Sequence, residues 1–151
     1  MSGQPDKFEV LKLGNQLCFP LYACAKEIIK IYRKPLAALD LTYTQYIVMM
    51  ALWEFGDMSE KELGQKIYLD SGTLTPVLKK LEKAGFIKRR RAKEDERFIR
   101  IALTEKGVGL KEKAVQIPQV LDGCIHLSYD ELLTLRALLQ KALKGVENKK
   151  K

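Results

Sequence analysis

A mainly α-helical chain with one small β-wing is the fold class the sequence predicts. Three observations predict it. Apolar residues recur at helical spacing over most of the chain. Three capping boxes, Thr42/Gln45, Ser59/Glu62 and Ser128/Glu131, mark helix starts. The apolar period falls to two only across "FIKRRR" and "RFIRIAL". At 151 residues, a single domain spanning 1–151 with a real core is expected.

The elements follow in order. Residues 8–33 carry Leu11, Leu17, Leu21, Ala25, Ile28, Ile29 and Tyr32 at helical spacing, and Pro35 ends or restarts the chain. Pro20 interrupts this pattern by removing the bond to the Gln16 carbonyl. Either the helix kinks there, or a new segment begins with Pro20 as its first residue. The second arrangement would set Cys18 beside the positive end of a helix, which favours a thiolate. Thr42/Gln45 opens a helix from Tyr43 to Glu54, and Ser59/Glu62 opens the short "EKELGQKIY". Asp70 or Ser71 caps the next helix, whose inner stripe is Leu74, Val77, Leu78 and Leu81 and whose stop is Gly85. Pro76 is tolerable only near a helix start. Two strands follow around the charged tip "AKEDE", with Ile99, Ile101 and Leu103 on one face. Thr104 can cap a long helix to about Leu121, and a final helix carries Leu132, Leu133, Leu135, Leu138, Leu139 and Leu143. Residues 146–151 read as a disordered basic tail.

Composition excludes several classes. The chain is 46% hydrophobic and 30% charged, too apolar for a disordered protein. No apolar run reaches the roughly 18 residues of a membrane span. The N-terminus lacks a basic region followed by an apolar block, so a cytoplasmic protein is expected. Cys18, Cys24 and Cys124 are odd in number, without metal-like spacing, and His126 is the lone histidine. No disulfide framework, metal or cofactor is expected. The +8 net charge favours a polyanionic partner.

Helix, short helix, helix ending in glycine and basic hairpin is the order of a winged helix-turn-helix, here over residues 42–103. A recognition helix offers small hydroxyls and amides to a major groove. Ser71, Gly72, Thr73 and Thr75 are such residues, with Lys79 and Lys80 behind them for phosphates. Lys88, Arg89, Arg90, Arg91, Lys93, Arg97 and Arg100 load the hairpin, where an arginine near the tip can enter a minor groove of double-stranded DNA. Leucines on more than one face of the last helix point to a homodimer, with 8–41 and 104–145 as the helical dimerisation part. Two recognition helices would then stand about 34 Å apart on a pseudo-palindromic operator.

The segments "QLCFPLYACAKEIIKIYRKPL", "LDLTYTQYIVMMALWE" and "KELGQKIYLDSGTLTPVLKKLEKAGFIKRRRAKEDERFIRIALTEKG" resemble the organic hydroperoxide resistance regulators of the multiple-antibiotic-resistance regulator (MarR) family. The likeness runs from about Leu13 to Gly107, and "LDSGTLTP" followed by "DER" is its most specific part. It implies a MarR-like dimeric repressor that lets go of DNA when an organic hydroperoxide oxidises a cysteine in the first helix. Cys18 matches that cysteine. Tyr32 and Tyr43 match two tyrosines that hydrogen-bond the thiolate from the other subunit. Ser71, Gly72, Thr73, Thr75 and Pro76 match the DNA-reading helix. Asp95 would brace the wing while Arg97 enters the minor groove.

Cys124 lies where some relatives carry a cysteine that closes a disulfide with the sensor of the partner subunit; it is that thiol or a quiet surface one. Cys24, six residues beyond Cys18, reads as core filler. Pro20, and Thr44 after "LTY", depart from the family pattern. From the residues alone Cys18 reads first as a small buried hydrophobe, and only the resemblance makes it a sensor. The alternative function is therefore a MarR-type repressor released by a small phenolic or other ligand, with Cys18 structural. A thiol peroxidase would need a resolving CxxC or a thioredoxin-like βαβ pattern; neither is present, so no enzyme is expected.

Overall fold

The computed structural model describes residues 6–95 and 97–148 and divides them into two units, one ending at Val120 and one starting at Leu121. The first unit opens with two 3₁₀ turns, Glu9–Leu11 and Leu13–Asn15, and only then enters helix α1, Cys18–Ala37. The single pattern expected over 8–33 is therefore two turns and a later helix. Side-chain amides hold the turns: Asn15 Nδ2 donates to the Glu9 carbonyl at 2.8 Å and Gln16 Nε2 to that of Val10. Pro20 is the third residue of α1 rather than its first. No intrahelical acceptor exists there for the N–H it lacks, so the helix starts without a kink.

Pro35 does not stop α1, which runs two residues further. The stop is Asp40, whose φ of 57° is left-handed. The Leu41 N–H reaches back to Leu36 O at 3.0 Å and Asp40 N–H to Ala37 O at 3.1 Å. This is the double bond of a helix end usually built on glycine.

Helix α2, Tyr43–Phe55, begins at the expected capping box, with Gln45 N–H to Thr42 Oγ1 at 3.3 Å and Thr42 N–H to Gln45 Oε1 at 2.8 Å. A strand that local pattern does not signal, β1 (Met58–Ser59), leads to α3 (Glu60–Ile67) and α4 (Ser71–Lys83). Strands β2 (Ile87–Arg91) and β3 (Ile99–Leu103) form the wing, and the antiparallel sheet runs in the order β1-β3-β2. Met58 pairs with Ile101, and Ile87 with Leu103. Of the three residues expected on one apolar face of β3, Ile101 is buried, Leu103 half-buried and Ile99 exposed.

Val48, Met49 and Leu52 of α2, Leu63 of α3, and Leu74, Leu78 and Leu81 of α4 form the core with Ile87 and Ile101. Each burial of this size contributes about 1.5–3 kcal/mol. Gly85, at φ 80°, ends α4 as expected, through Phe86 N–H to Leu81 O and Gly85 N–H to Glu82 O. Pro76 sits sixth in α4, deeper than a helix start.

Thr104 caps α5, but α5 is Glu105–Ala114 and not a helix to Leu121. Pro118 has no N–H for the Ala114 carbonyl, and a 3₁₀ turn covers Ile117–Leu121.

In the second unit the Ser128/Glu131 box opens α6, Tyr129–Asn148. Residues 146–148, expected in a disordered tail, are helical; 149–151 lie outside the described residues.

Candidate DNA interface and thiol site

The reading helix is set by a tight turn. Tyr68 ends α3 with φ 58°, and Leu69 N–H donates to Gly64 O at 3.0 Å. A Cβ on Gly64 would stand 2.6 Å from the Leu69 carbonyl oxygen, so the turn closes only on glycine. Asp70 is the cap of α4, accepting Thr73 N–H at 2.9 Å and Thr73 Oγ1–H at 3.1 Å. The Thr73 backbone bond is the chief reason the Asp70 carboxyl titrates below its ordinary range. Leu74, Leu78 and Leu81 turn inward, which leaves Ser71, Gly72, Thr73, Pro76, Lys79 and Lys80 exposed on the outer side. Thr75 is half-buried, and its hydroxyl donates to Glu60 of α3. It ties the two helices together.

The wing is held by carboxylates that the sequence pattern does not single out. Asp57, just ahead of β1, accepts Arg90 on its side chain and Arg100 on its carbonyl. Glu82 of α4 accepts the Arg89 N–H at 3.3 Å, and its Oε2 lies 3.8 Å from Arg89 Nε. Arg89 is half-buried, and its Nε and one terminal nitrogen have no hydrogen-bond partner among the described residues. Arg90 and, at longer range, Arg89 thus lie against carboxylates of their own chain. At the tip, Asp95 accepts Arg97 through Nε at 3.0 Å and a terminal nitrogen at 2.8 Å. The Arg97 side chain is nonetheless 88% exposed. Glu96 lies outside the described residues.

Cys18 is the first residue of α1 and is exposed, between Leu17 and Phe19, which are exposed too. Tyr32 is buried and Tyr43 half-buried; their ring centroids are 5.2 Å apart, and Tyr46 stands 6.3 Å from each. Tyr32 lies fourteen positions beyond Cys18 on α1, roughly 21 Å along the axis at about 1.5 Å per residue. The thiol and the tyrosine pair of one chain therefore do not meet. Trp53 makes a polar contact between elements: its indole N–H donates to the Gly107 carbonyl at 2.9 Å. Cys24 is exposed in the chain and not core filler; of α1, only Tyr32 and Leu36 are buried. Cys124 and His126 are exposed in the segment before α6. No cluster of three or more His, Cys, Asp or Glu able to hold a metal occurs among the described residues.

Burial raises the titration of Tyr32 above the ordinary phenol value, reinforced by Tyr43 and Tyr46; burial does the same at Tyr43 and Tyr46. The phenols thus remain O–H donors at neutral pH. A folded value above the unfolded one gives stability that is complete below about pH 10 and lost as pH rises through the folded values. Urea midpoints followed with tyrosinate absorbance are expected to fall only above about pH 10. Tyrosinate appearing at the free-phenol pH with no loss of midpoint would contradict the burial.

A capped helix-turn-helix followed by a charged hairpin defines a winged helix-turn-helix transcriptional regulator. Residues 30–114 match the family model described as transcriptional regulator SarA/Rot. The chain is 46% identical to the organic hydroperoxide resistance transcriptional regulator of Bacillus subtilis (strain 168), over 95% of this chain and 98% of that one. The structure of reduced AbfR bound to DNA is similar at a TM-score of 0.78 and 30% identity, covering 96% of this chain and 99% of that one. Overoxidised AbfR bound to DNA gives 0.72 and 34%, over 93% and 98%; AbfR is a Staphylococcus epidermidis protein. The chain belongs to the organic hydroperoxide resistance regulators of the MarR family. No described helix is long and apolar enough to cross a membrane.

Proposed function

We propose that this regulator is a cytoplasmic homodimeric repressor that releases a pseudo-palindromic operator when an organic hydroperoxide oxidises Cys18. The observation that carries the reading is the incomplete site. An exposed thiol at a helix N-terminus, flanked by exposed Leu17 and Phe19, lies some 21 Å along α1 from the phenols of its own chain. A second copy supplies them: the partner subunit's Tyr32 and Tyr43 donate to the thiolate. The exposed leucines of α6, with Leu138 at 58%, supply apolar surface for that assembly. Relatedness to a hydroperoxide resistance regulator agrees with this reading.

The chemistry is a two-electron oxidation. The Cys18 thiolate attacks the outer peroxide oxygen, the O–O bond breaks, and the alkoxide leaves and takes up a proton as an alcohol. The sulfur becomes a sulfenic acid. The resolving thiol is Cys124 of the partner subunit: its sulfur displaces the hydroxyl of the Cys18 sulfenic acid, which leaves as water with the thiol proton, forming an intersubunit disulfide. One equivalent is consumed per subunit, so the protein is a switch and not an enzyme. On DNA, Ser71, Gly72, Thr73 and Pro76 face the major groove, Lys79 and Lys80 the phosphates, and Arg97, braced by Asp95, the minor groove. Thr75, Arg89 and Arg90 hold helix and wing in place as well as contributing contacts.

Operator titrations before and after cumene hydroperoxide test the reading. The reduced protein is expected to bind with a log–log salt slope near −0.9 per neutralised phosphate. One equivalent of peroxide is expected to weaken binding at least roughly tenfold, about 1.4 kcal/mol of coupling. An oxidised protein that keeps its operator overturns the reading.

A further inference from the structure

The geometry points to Trp53 as the positioning residue that carries the state of the tyrosine pair to the reading helix, through its hydrogen bond to the Gly107 carbonyl. This rests on the sensing role of Cys18 proposed above. The rings of Tyr32, Tyr43 and Tyr46 form one cluster, and Tyr46 meets Trp53 edge-on at 6.5 Å and 66°. From Trp53 the next step is polar and directional: Nε1–H to Gly107 O, 2.9 Å, from α2 to the first turn of α5.

That turn is fastened to the end of the reading helix. Thr104 Oγ1 donates to Gly85 O at 2.6 Å, Thr104 N–H to Phe86 O at 3.1 Å, and Lys106 Nζ to Ala84 O at 2.7 Å. Gly107 itself lies so close that a Cβ would be 2.0 Å from Phe86 O. Ala84, Gly85 and Phe86 are the residues between α4 and β2, so the contact reaches helix and wing at one place. Packed interiors deform little, so a shift of the aromatic cluster passes along such a chain of contacts rather than dissipating. When the Cys18 thiolate is lost, Tyr32 and Tyr43 lose their acceptor and resettle. Tyr46 moves against the indole edge, and the indole draws the Gly107 carbonyl and α4's terminus with it.

Trp53→Phe keeps a ring in the cluster and removes the donor. The test compares operator affinity of reduced and hydroperoxide-treated protein for wild type and W53F, with Cys18 oxidation verified by mass in both. Reduced W53F is expected to bind within about threefold of wild type, while the loss of affinity on oxidation shrinks by roughly five- to tenfold. A residue that only props the fold would move both states together and leave their ratio unchanged. Trp53 is also the single tryptophan of the chain, so its emission reports on the same contact without any substitution there. Wild-type emission is expected to change in step with Cys18 oxidation and to stay constant in Cys18→Ser.

A wild type that lets go while its emission stays unchanged, or a W53F that lets go by the full wild-type factor, overturns the coupling alone. A wild type that keeps its operator after verified Cys18 oxidation overturns the sensing role and this coupling with it.

Discussion

Cys18→Ser is expected to leave operator binding intact and to abolish release by organic hydroperoxide. Serine keeps the size and polarity of the first residue of α1, which is exposed and holds no core contact, so folding and DNA binding have no reason to change. What disappears is the nucleophile: a hydroxyl does not attack a peroxide oxygen at neutral pH, whereas a thiolate does. The at least tenfold weakening expected of wild type therefore falls to none. The readout is operator affinity with one equivalent of cumene hydroperoxide, alongside the same measurement with small phenols. Retained peroxide release in Cys18→Ser would place the sensor at another thiol. Release by a phenol in both proteins, with no peroxide effect in either, would establish the ligand-released alternative.

Gly107→Ala is expected to produce the largest loss of stability of any glycine-to-alanine change among the described residues. The new Cβ would stand 2.0 Å from the Phe86 carbonyl oxygen and 3.2 Å from Leu103 Cδ2. The first is backbone, pinned by the Thr104 N–H at 3.1 Å, so it has no flexible end to swing aside. The first turn of α5 has to lift off the sheet, taking the Trp53 and Thr104 bonds with it. A cost of about 3–5 kcal/mol is expected, the upper range for one substitution and a large part of a domain's total of about 5–15 kcal/mol. Gly109, two residues on, is the control. A Cβ there meets nothing within 4 Å, so Gly109→Ala should stabilise by up to about 1 kcal/mol through helix propensity. Urea unfolding of the two variants checks both signs. A Gly107→Ala midpoint equal to wild type would show that the α5–β2 approach is looser than described.

Features written in neighbouring residues were legible in advance. All three capping boxes lie where their i, i+3 pairs placed them, and Asp70 and Gly85 bound the reading helix, because a cap needs only two or three residues to declare itself. The helix, turn, helix and wing order follows from those caps. What escaped has a physical reason in each case. Asp40 ends α1 in a conformation for which the sequence offers no glycine as a flag. β1 is two residues long, too short for any period to show. Asp57 meets Arg90 from 33 positions away and Trp53 meets Gly107 from 54, and no local pattern carries such pairs. Cys24 looked internal because α1 was read as a core helix along its whole length; in the folded chain only its Tyr32 and Leu36 are buried. Of the residues proposed to sense peroxide, Tyr32 and Tyr43 are legible as an aromatic cluster only once α1 and α2 are side by side.

Asp57 has one more consequence. The hairpin is moored to the body by two ion pairs, Arg90 on the Asp57 carboxylate and Arg89 beside Glu82, while Arg100 holds the Asp57 backbone carbonyl. Ions in solution shield those moorings as they shield the phosphates. Added electrolyte thus acts twice on the same reader: it competes for the nucleic acid, and it slackens the arm that reaches for it. Counting phosphate contacts from a salt titration of this protein will overstate their number, since part of the steepness belongs to the arm.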